Sequence, residues 1–132
     1  MTRHRIAATT AALVGAATLV VPAAPGRAAD GGTVVGGPAA AELGYLTTSV
    51  RSPKGATATF VNLDPVASHD VVSKATRKVK VRGRLVSRPL FRSALVAFGA
   101  SVPVSGTEAV KAGDYEFFCS LHSGMVGTLH VQ

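Results

Sequence analysis

The stretch of sequence that decides the fold reads YEFFCSLHSGM and runs from Tyr115 to Met125. Its first half is rich in aromatic residues, as β-strands are. Its second half has the spacing C-x-x-H-x-x-M, formed by Cys119, His122 and Met125. Because these three residues lie between two predicted strands, one compact turn can direct a thiolate, an imidazole and a thioether to a single point.

The donor set predicts the metal. Thiolate and thioether ligands select copper, and two imidazoles with one thiolate and a weak axial thioether form the blue-copper electron-transfer site. That site needs a second imidazole, which His69 supplies, fifty residues upstream of Cys119 and shortly after an Asn-x-Asp-Pro turn. We therefore predict one copper ion, held by the following ligands: His69, Cys119, His122 and Met125.

In the rest of the chain after residue 43, short β-prone segments alternate with turn signals. Predicted strands are Tyr45–Val50, Ala56–Val61, His69–Ser73, Val79–Val86, Leu95–Phe98, Ser101–Val104, Tyr115–Cys119 and Gly127–Val131. Strands of this length and spacing are typical of an all-β sandwich or barrel. No convincing helical period follows residue 29, and Ala39–Leu43 is expected to form only a short turn.

The N-terminal residues predict export. Residues 1–29 have a basic start, an uncharged run from Ile6 to Val21 and small residues at a cleavage point, as a signal peptide does. An uncleaved membrane anchor is the alternative, although sixteen residues are short of the ~20 that span a bilayer. Cleavage would leave the protein periplasmic, on the cell surface or secreted. Residues 30–43 contain DGGTVVGGP and are expected to be a flexible Gly-rich linker before the domain 44–132.

Composition limits the function. The chain has 132 residues, enough for one domain, and a single cysteine, which excludes an intramolecular disulfide. After residue 29 only three histidines remain, no H-x-H pair occurs, and phosphate loops and zinc-type cysteine pairs are absent. A copper ion with four protein ligands also lacks an open position for a substrate, so we expect no enzymatic activity. His130 alternates with apolar neighbours on the last strand and is expected to face solvent.

Several segments resemble one known family. Phe60–Asp64 with Ser68–Val72, and Gly113–Ser120 with Met125–Val131, are similar to the ligand-bearing segments of the small blue-copper proteins (cupredoxins) of the plastocyanin and amicyanin group. The resemblance covers residues 45–132. It implies a cupredoxin-like Greek-key β-sandwich of about seven to eight strands that transfers electrons through one type 1 copper cycling between Cu(I) and Cu(II).

The resemblance also implies roles for single residues. His122 would lie near the surface as the electron exit, inside an apolar contact patch of Leu121, Met125 and Val126. The family often has proline where this chain has Leu121, and asparagine where it has Asp70, a residue that ties the two ligand loops together. We therefore expect Asp70 to accept a hydrogen bond from Ser120 or from a backbone amide.

Two alternative functions stay open at this point. One is an exported copper storage or delivery protein, which would hold Cu(I) in an open site without the blue colour. The other is a small subunit or accessory domain of a larger copper enzyme.

A basic segment suggests the partner. No aspartate or glutamate occurs between Val71 and Thr107, whereas eight lysines and arginines do. In one continuous strand the alternation would place the following residues on one side: Lys78, Lys80, Arg82 and Arg84. Such a row would attract an acidic redox partner protein or an anionic membrane surface, and its alternative is a solvated face that confers solubility. Nucleic acid is not expected, because no aromatic residues interleave with the row. We expect a monomer.

Overall fold

The computed structural model describes residues 30–132, so the signal-peptide prediction for residues 1–29 lies outside the described residues. The regular secondary structure of these residues is almost entirely β-strand, with one short helix, α1, and one 3₁₀ turn. The strands are β1 Thr33–Gly36, β2 Ser49–Ser52, β3 Ala58–Asn62, β4 Val72–Ser73, β5 Thr76–Val81, β6 Arg84–Pro89, β7 Ser101–Val104, β8 Gly113–Phe118 and β9 Val126–Val131. The helix α1 is Ala40–Leu43, and the 3₁₀ turn is Thr107–Ala109.

Two main sheets carry the fold. One has the strand order β1-β3-β7 and the other the order β2-β9-β8-β4, while β5 and β6 form a separate hairpin. β1 is parallel to β3 and β2 is parallel to β9, whereas the other pairs are antiparallel. The predicted all-β class is therefore confirmed, with nine strands within residues 30–132 instead of seven or eight.

Aromatic residues fill the space inside. Phe60, Phe91 and Phe117 are fully buried. The ring of Tyr45 meets Phe60 and Phe117 edge to face, with ring centroids 6.2 and 5.2 Å apart. The strand predicted over Tyr45–Val50 begins four residues later, at Ser49, and ends at Ser52. Tyr45 lies outside regular pairing, with its ring in this cluster.

The predicted flexible linker over residues 30–43 is wrong. Thr33–Gly36 pairs with β3, Val34 is buried, and α1 follows. Glycine is needed here because two backbone segments pack closely together. A Cβ added to Gly31 would lie 2.2 Å from the carbonyl carbon of Thr57. A run of glycines thus lets the first strand lie directly against its neighbour, and the folded domain includes this segment.

The predicted single strand Val79–Val86 is also wrong, because a hairpin turn interrupts it. Arg82 and Gly83 both have positive φ, 47° and 80°, which is the geometry of a two-residue hairpin turn. The turn reverses the alternation, so the predicted one-sided basic row does not form. Lys78 and Lys80 share one face of the hairpin, whereas three arginines occupy the other face: Arg77, Arg84 and Arg88.

Three of the remaining strand predictions, Ala56–Val61, Tyr115–Cys119 and Gly127–Val131, hold with small shifts of their ends, and Ser101–Val104 is exact. The predicted strand His69–Ser73 shrinks to Val72–Ser73, and Leu95–Phe98 forms no regular strand. These two segments meet only through an isolated bridge between His69 and Val96. Within residues 30–132, no helix has the length and apolar character needed to cross a membrane.

Candidate metal centre

The loop between β8 and β9 carries three of the predicted ligands. Cys119 directly follows β8, and its N–H donates to the Met125 carbonyl at 3.0 Å. The Met125 N–H donates in turn to the His122 carbonyl at 3.2 Å. These two bonds fold the seven-residue loop into a compact turn and fix the three side chains relative to one another, as the C-x-x-H-x-x-M spacing predicts.

The fourth predicted ligand comes from the segment between β3 and β4. His69 is fully buried, and its backbone exchanges two hydrogen bonds with Val96, of 3.1 and 3.0 Å. The Asn62 side-chain amide donates to the Val96 carbonyl at 2.8 Å and to the Ala67 carbonyl at 2.9 Å. Asn62 thereby holds the loop that delivers His69 to the end of β8.

Three donor atoms form a compact triangle. His69 Nδ1 and His122 Nδ1 are 3.1 Å apart, and Cys119 Sγ lies 3.8 Å from the first and 3.5 Å from the second. The point in their plane equidistant from these atoms is about 2.0 Å from each, close to a metal–imidazole bond and about 0.3 Å shorter than a metal–thiolate bond. Two imidazoles and a thiolate in one trigonal arrangement therefore fit a single copper ion.

A buried carboxylate orients the first imidazole. Asp64 Oδ2 lies 2.9 Å from His69 Nε2, and both side chains are inaccessible to solvent. The Asp64 carboxylate also accepts the N–H groups of Val66 and Ala40. The hydrogen bond with His69, together with these backbone donors, lowers the pKa of Asp64. With its Nε2–H bound to Asp64, His69 presents Nδ1 to the metal position.

A second buried carboxylate joins the two ligand loops. Asp70 Oδ1 accepts the Ser120 N–H at 2.7 Å, and Asp70 Oδ2 accepts the Ser120 hydroxyl at 2.7 Å. The expected tie through Asp70 is therefore present and uses both oxygens. The Tyr45 hydroxyl donates to the Asp70 carbonyl from the core side. The residue that follows His69 is thus bonded directly to the residue that follows Cys119.

The sulfur-bearing residues of the loop, Met125 and Cys119, are closed to solvent. Both are buried, with 0 % and 2 % of their surface exposed, and burial raises the pKa of the Cys119 thiol. Copper binding must therefore displace the thiol proton, since the thiolate is the ligand form. Met125 contacts the core near Gly36, and its role as weak axial ligand stays a prediction.

His130 lies apart from this centre. It is partly exposed on β9, where its ring nitrogens bond to Asp114 Oδ1 at 2.7 Å and to Ser49 Oγ at 3.1 Å. The expectation of a surface position is consistent with this partial exposure. Sequence reasoning missed Asp64, which it assigned only to a turn. An acidic residue five positions before a predicted ligand histidine was the available signal.

Comparison with known proteins identifies the family. Residues 33–132 match the copper binding proteins of the plastocyanin/azurin family. The chain belongs to this family, and its site is a copper site.

Solved structures agree on the fold. A purple cupredoxin from Nitrosopumilus maritimus is 22% identical, covers 76% of this chain and 98% of its own, and has a TM-score of 0.56. A reduced amicyanin variant is 20% identical with a TM-score of 0.51, covering 80% of this chain and 87% of its own. The Cu(I) form of another amicyanin variant is 22% identical with the same coverages and a TM-score of 0.50. No curated protein sequence matches the chain significantly.

Proposed function

We propose that this copper protein is an exported electron carrier that has no enzymatic activity. The observation that carries the proposal is the trigonal set of buried His69, buried Cys119 and partly exposed His122, with two carboxylates bonded to its supporting residues. When bound, copper supplies a one-electron couple between Cu(I) and Cu(II).

The surrounding hydrogen bonds support rapid one-electron chemistry. Asp64 holds the His69 ring, Asp70 holds the backbone after Cys119, and the loop's own bonds hold His122 and Met125. Donors held in place in this way move little when the charge of the metal changes, so the cost of reorganisation stays small.

Burial supports a carrier over a storage or delivery protein. His69 and Cys119 are closed to solvent, and only His122 among the three triangle residues is partly exposed. A delivery site must release its ion to another protein, which requires accessible ligands. Here one imidazole edge reaches the surface, which suits the passage of an electron.

Exposed apolar residues lie on the loops that carry or contact the ligand segments. The neighbouring loops expose large apolar side chains at the same end of the domain, and we call this set the copper-end patch: Leu63, Val66, Leu95, Phe98, Leu121 and Val126. Loops 63–68 and 94–100 both contact the His69 segment. Met125, expected in this patch, is buried and does not contribute. An apolar, weakly hydrated face around the exit ligand supports brief contact with a redox partner.

Electron self-exchange tests the proposal. We expect NMR lines of the reduced copper protein to broaden when oxidised protein is added, because electrons pass between copies through the copper-end patch. Leu121→Glu should slow this exchange, because it places a carboxylate at the contact, and should leave the copper spectrum unchanged. Leu85→Glu is the matched control, since Leu85 is also an exposed leucine but lies on the β5–β6 hairpin.

Two results would contradict the proposal. One is a native protein without measurable exchange that surrenders Cu(I) rapidly to a chelator, which would favour storage or delivery. The other is an equal exchange rate in Leu121→Glu and the native protein.

A further inference from the structure

The β5–β6 hairpin covers a concave surface that carries several arginines. A cleft of about 490 Å³ lies between the hairpin and the 3₁₀ turn, and its lining includes Arg77, Arg88 and Arg92. Val79, Leu90 and Phe91 contribute apolar side chains to the same cleft. A second hollow of about 240 Å³ shares Arg77 and Leu90 and continues to Lys111 and Tyr115. We call the two hollows together the basic groove.

The guanidinium groups of the groove are not used in ion pairs within the part of the chain that the structure describes. No salt bridge of residues 30–132 involves Arg77, Arg88 or Arg92. The one carboxylate at the rim, that of Glu108, accepts the Gly106 N–H through both oxygens, at 3.1 and 2.9 Å. Three guanidinium groups therefore face one carboxylate in the cleft, which leaves an excess of positive charge beside apolar side chains.

The hairpin register places two of these arginines against each other. Arg77 and Arg88 are directly opposed on adjacent strands, so their side chains leave the same face. Like charges in opposed positions destabilise a strand pair. An arrangement that costs stability in the isolated domain becomes favourable when an anion lies between the two guanidinium groups.

The groove lies away from the copper. Val104 pairs with Ala58, at the end of β3 opposite to Asn62, and the groove residue Gly106 follows it. Asn62 supports the His69 loop. A ligand in the groove therefore leaves the copper-end patch free.

We propose that the basic groove binds an acidic, extended segment of a partner protein. Arginine forks recognise carboxylates bidentately, and the apolar floor accepts alternate side chains of the same segment. Two continuous hollows are too long for a single phosphate, and a concave surface cannot lie flat against a bilayer. The proposal is independent of electron transfer, because the segment would bind whether or not copper is present.

A peptide-binding assay tests the groove. The probe is a short fluorescein-labelled peptide in which glutamate alternates with leucine, and binding is measured by fluorescence anisotropy with the purified protein, with and without copper. We expect binding that weakens as salt rises. Arg77→Glu combined with Arg88→Glu should weaken binding by about tenfold or more, because charge-assisted hydrogen bonds are lost. Lys78→Glu combined with Lys80→Glu is the matched control on the opposite face of the hairpin and should keep most of the affinity.

Stability separates a binding role from a structural one. The single variant Arg77→Glu places opposite charges across the strands, so its thermal midpoint should equal or exceed that of the native protein while peptide binding falls. Equal losses of binding in the two double variants would overturn the proposal and indicate a net-charge effect. Binding to anionic phosphatidylglycerol vesicles without binding to the peptide would also overturn it, in favour of a membrane surface.

Discussion

Replacement of Asp70 by asparagine isolates the effect of one buried charge on the copper. Asp70 Oδ1 lies 2.7 Å from the nitrogen that follows Cys119, so the carboxylate is within about 8 Å of the centre of the donor triangle. An asparagine of the same shape can accept the Ser120 N–H and donate to the Ser120 hydroxyl, so the tie between the loops survives while the charge disappears.

The magnitude follows from Coulomb's law. A unit charge at about 8 Å contributes about 2 kcal/mol at an effective dielectric constant of 20. The negative charge favours Cu(II) over Cu(I), so its removal raises the reduction potential. At 59 mV for each factor of ten, this energy corresponds to a rise of about 90 mV.

Redox titration of the copper absorption measures the shift. Ser120→Ala is the control, because it removes the hydroxyl bond to Asp70 Oδ2 and keeps the carboxylate, so its potential should change much less. A water-like dielectric constant would give a shift of only about 20 mV. A shift no larger than this in Asp70→Asn, or a fall in the potential, would contradict the expected effect of the buried charge.

Four further variants probe the ligand shell and the core. Met125→Leu should keep the blue colour and raise the potential, because only the weak axial donor is lost, and a colourless product would contradict this. Asp64→Asn should weaken copper binding by about 10- to 100-fold in a chelator competition. Folding lowers the pKa of Asp64, so the ionised carboxylate stabilises the folded protein above the usual carboxyl pKa. This contribution to the free energy of unfolding is lost as pH falls through the lowered pKa. The same variant should therefore reduce the loss of stability at acid pH, measured on the copper-free protein. Gly127→Ala should cost about 1–3 kcal/mol in denaturant unfolding, because its Cβ would lie 2.5 Å from the Phe117 ring, whereas Gly124→Ala, with nothing within 4 Å, should cost little.

Strongly local signals made most of the site predictable. Cys119, His122 and Met125 lie within seven residues, and the turn between two strands confines them whatever the rest of the chain does. Predicting His69 required a comparison across the fifty residues that separate it from Cys119. Asp70 stands where the family often has asparagine, and the hydrogen bonds expected there between the two ligand loops are present.

Tertiary contacts decided what the sequence did not predict. Gly31 looks flexible by composition, yet its missing Cβ is what permits contact with the Thr57 backbone. Arg82 adopts a left-handed conformation that favours glycine or asparagine, so the turn before Gly83 had a weak signal. Asp64 reads as a turn residue, and only the folded loop brings its carboxylate to His69.

The visible spectrum of the oxidised, copper-loaded protein tests the central claim most directly, recorded beside that of Cys119→Ser. We expect an intense blue band at one copper ion per chain, caused by charge transfer from the Cys119 thiolate. We expect Cys119→Ser to lose this band and to bind Cu(II) far more weakly. A colourless native protein, or a Cys119→Ser variant that stays blue, would contradict this claim.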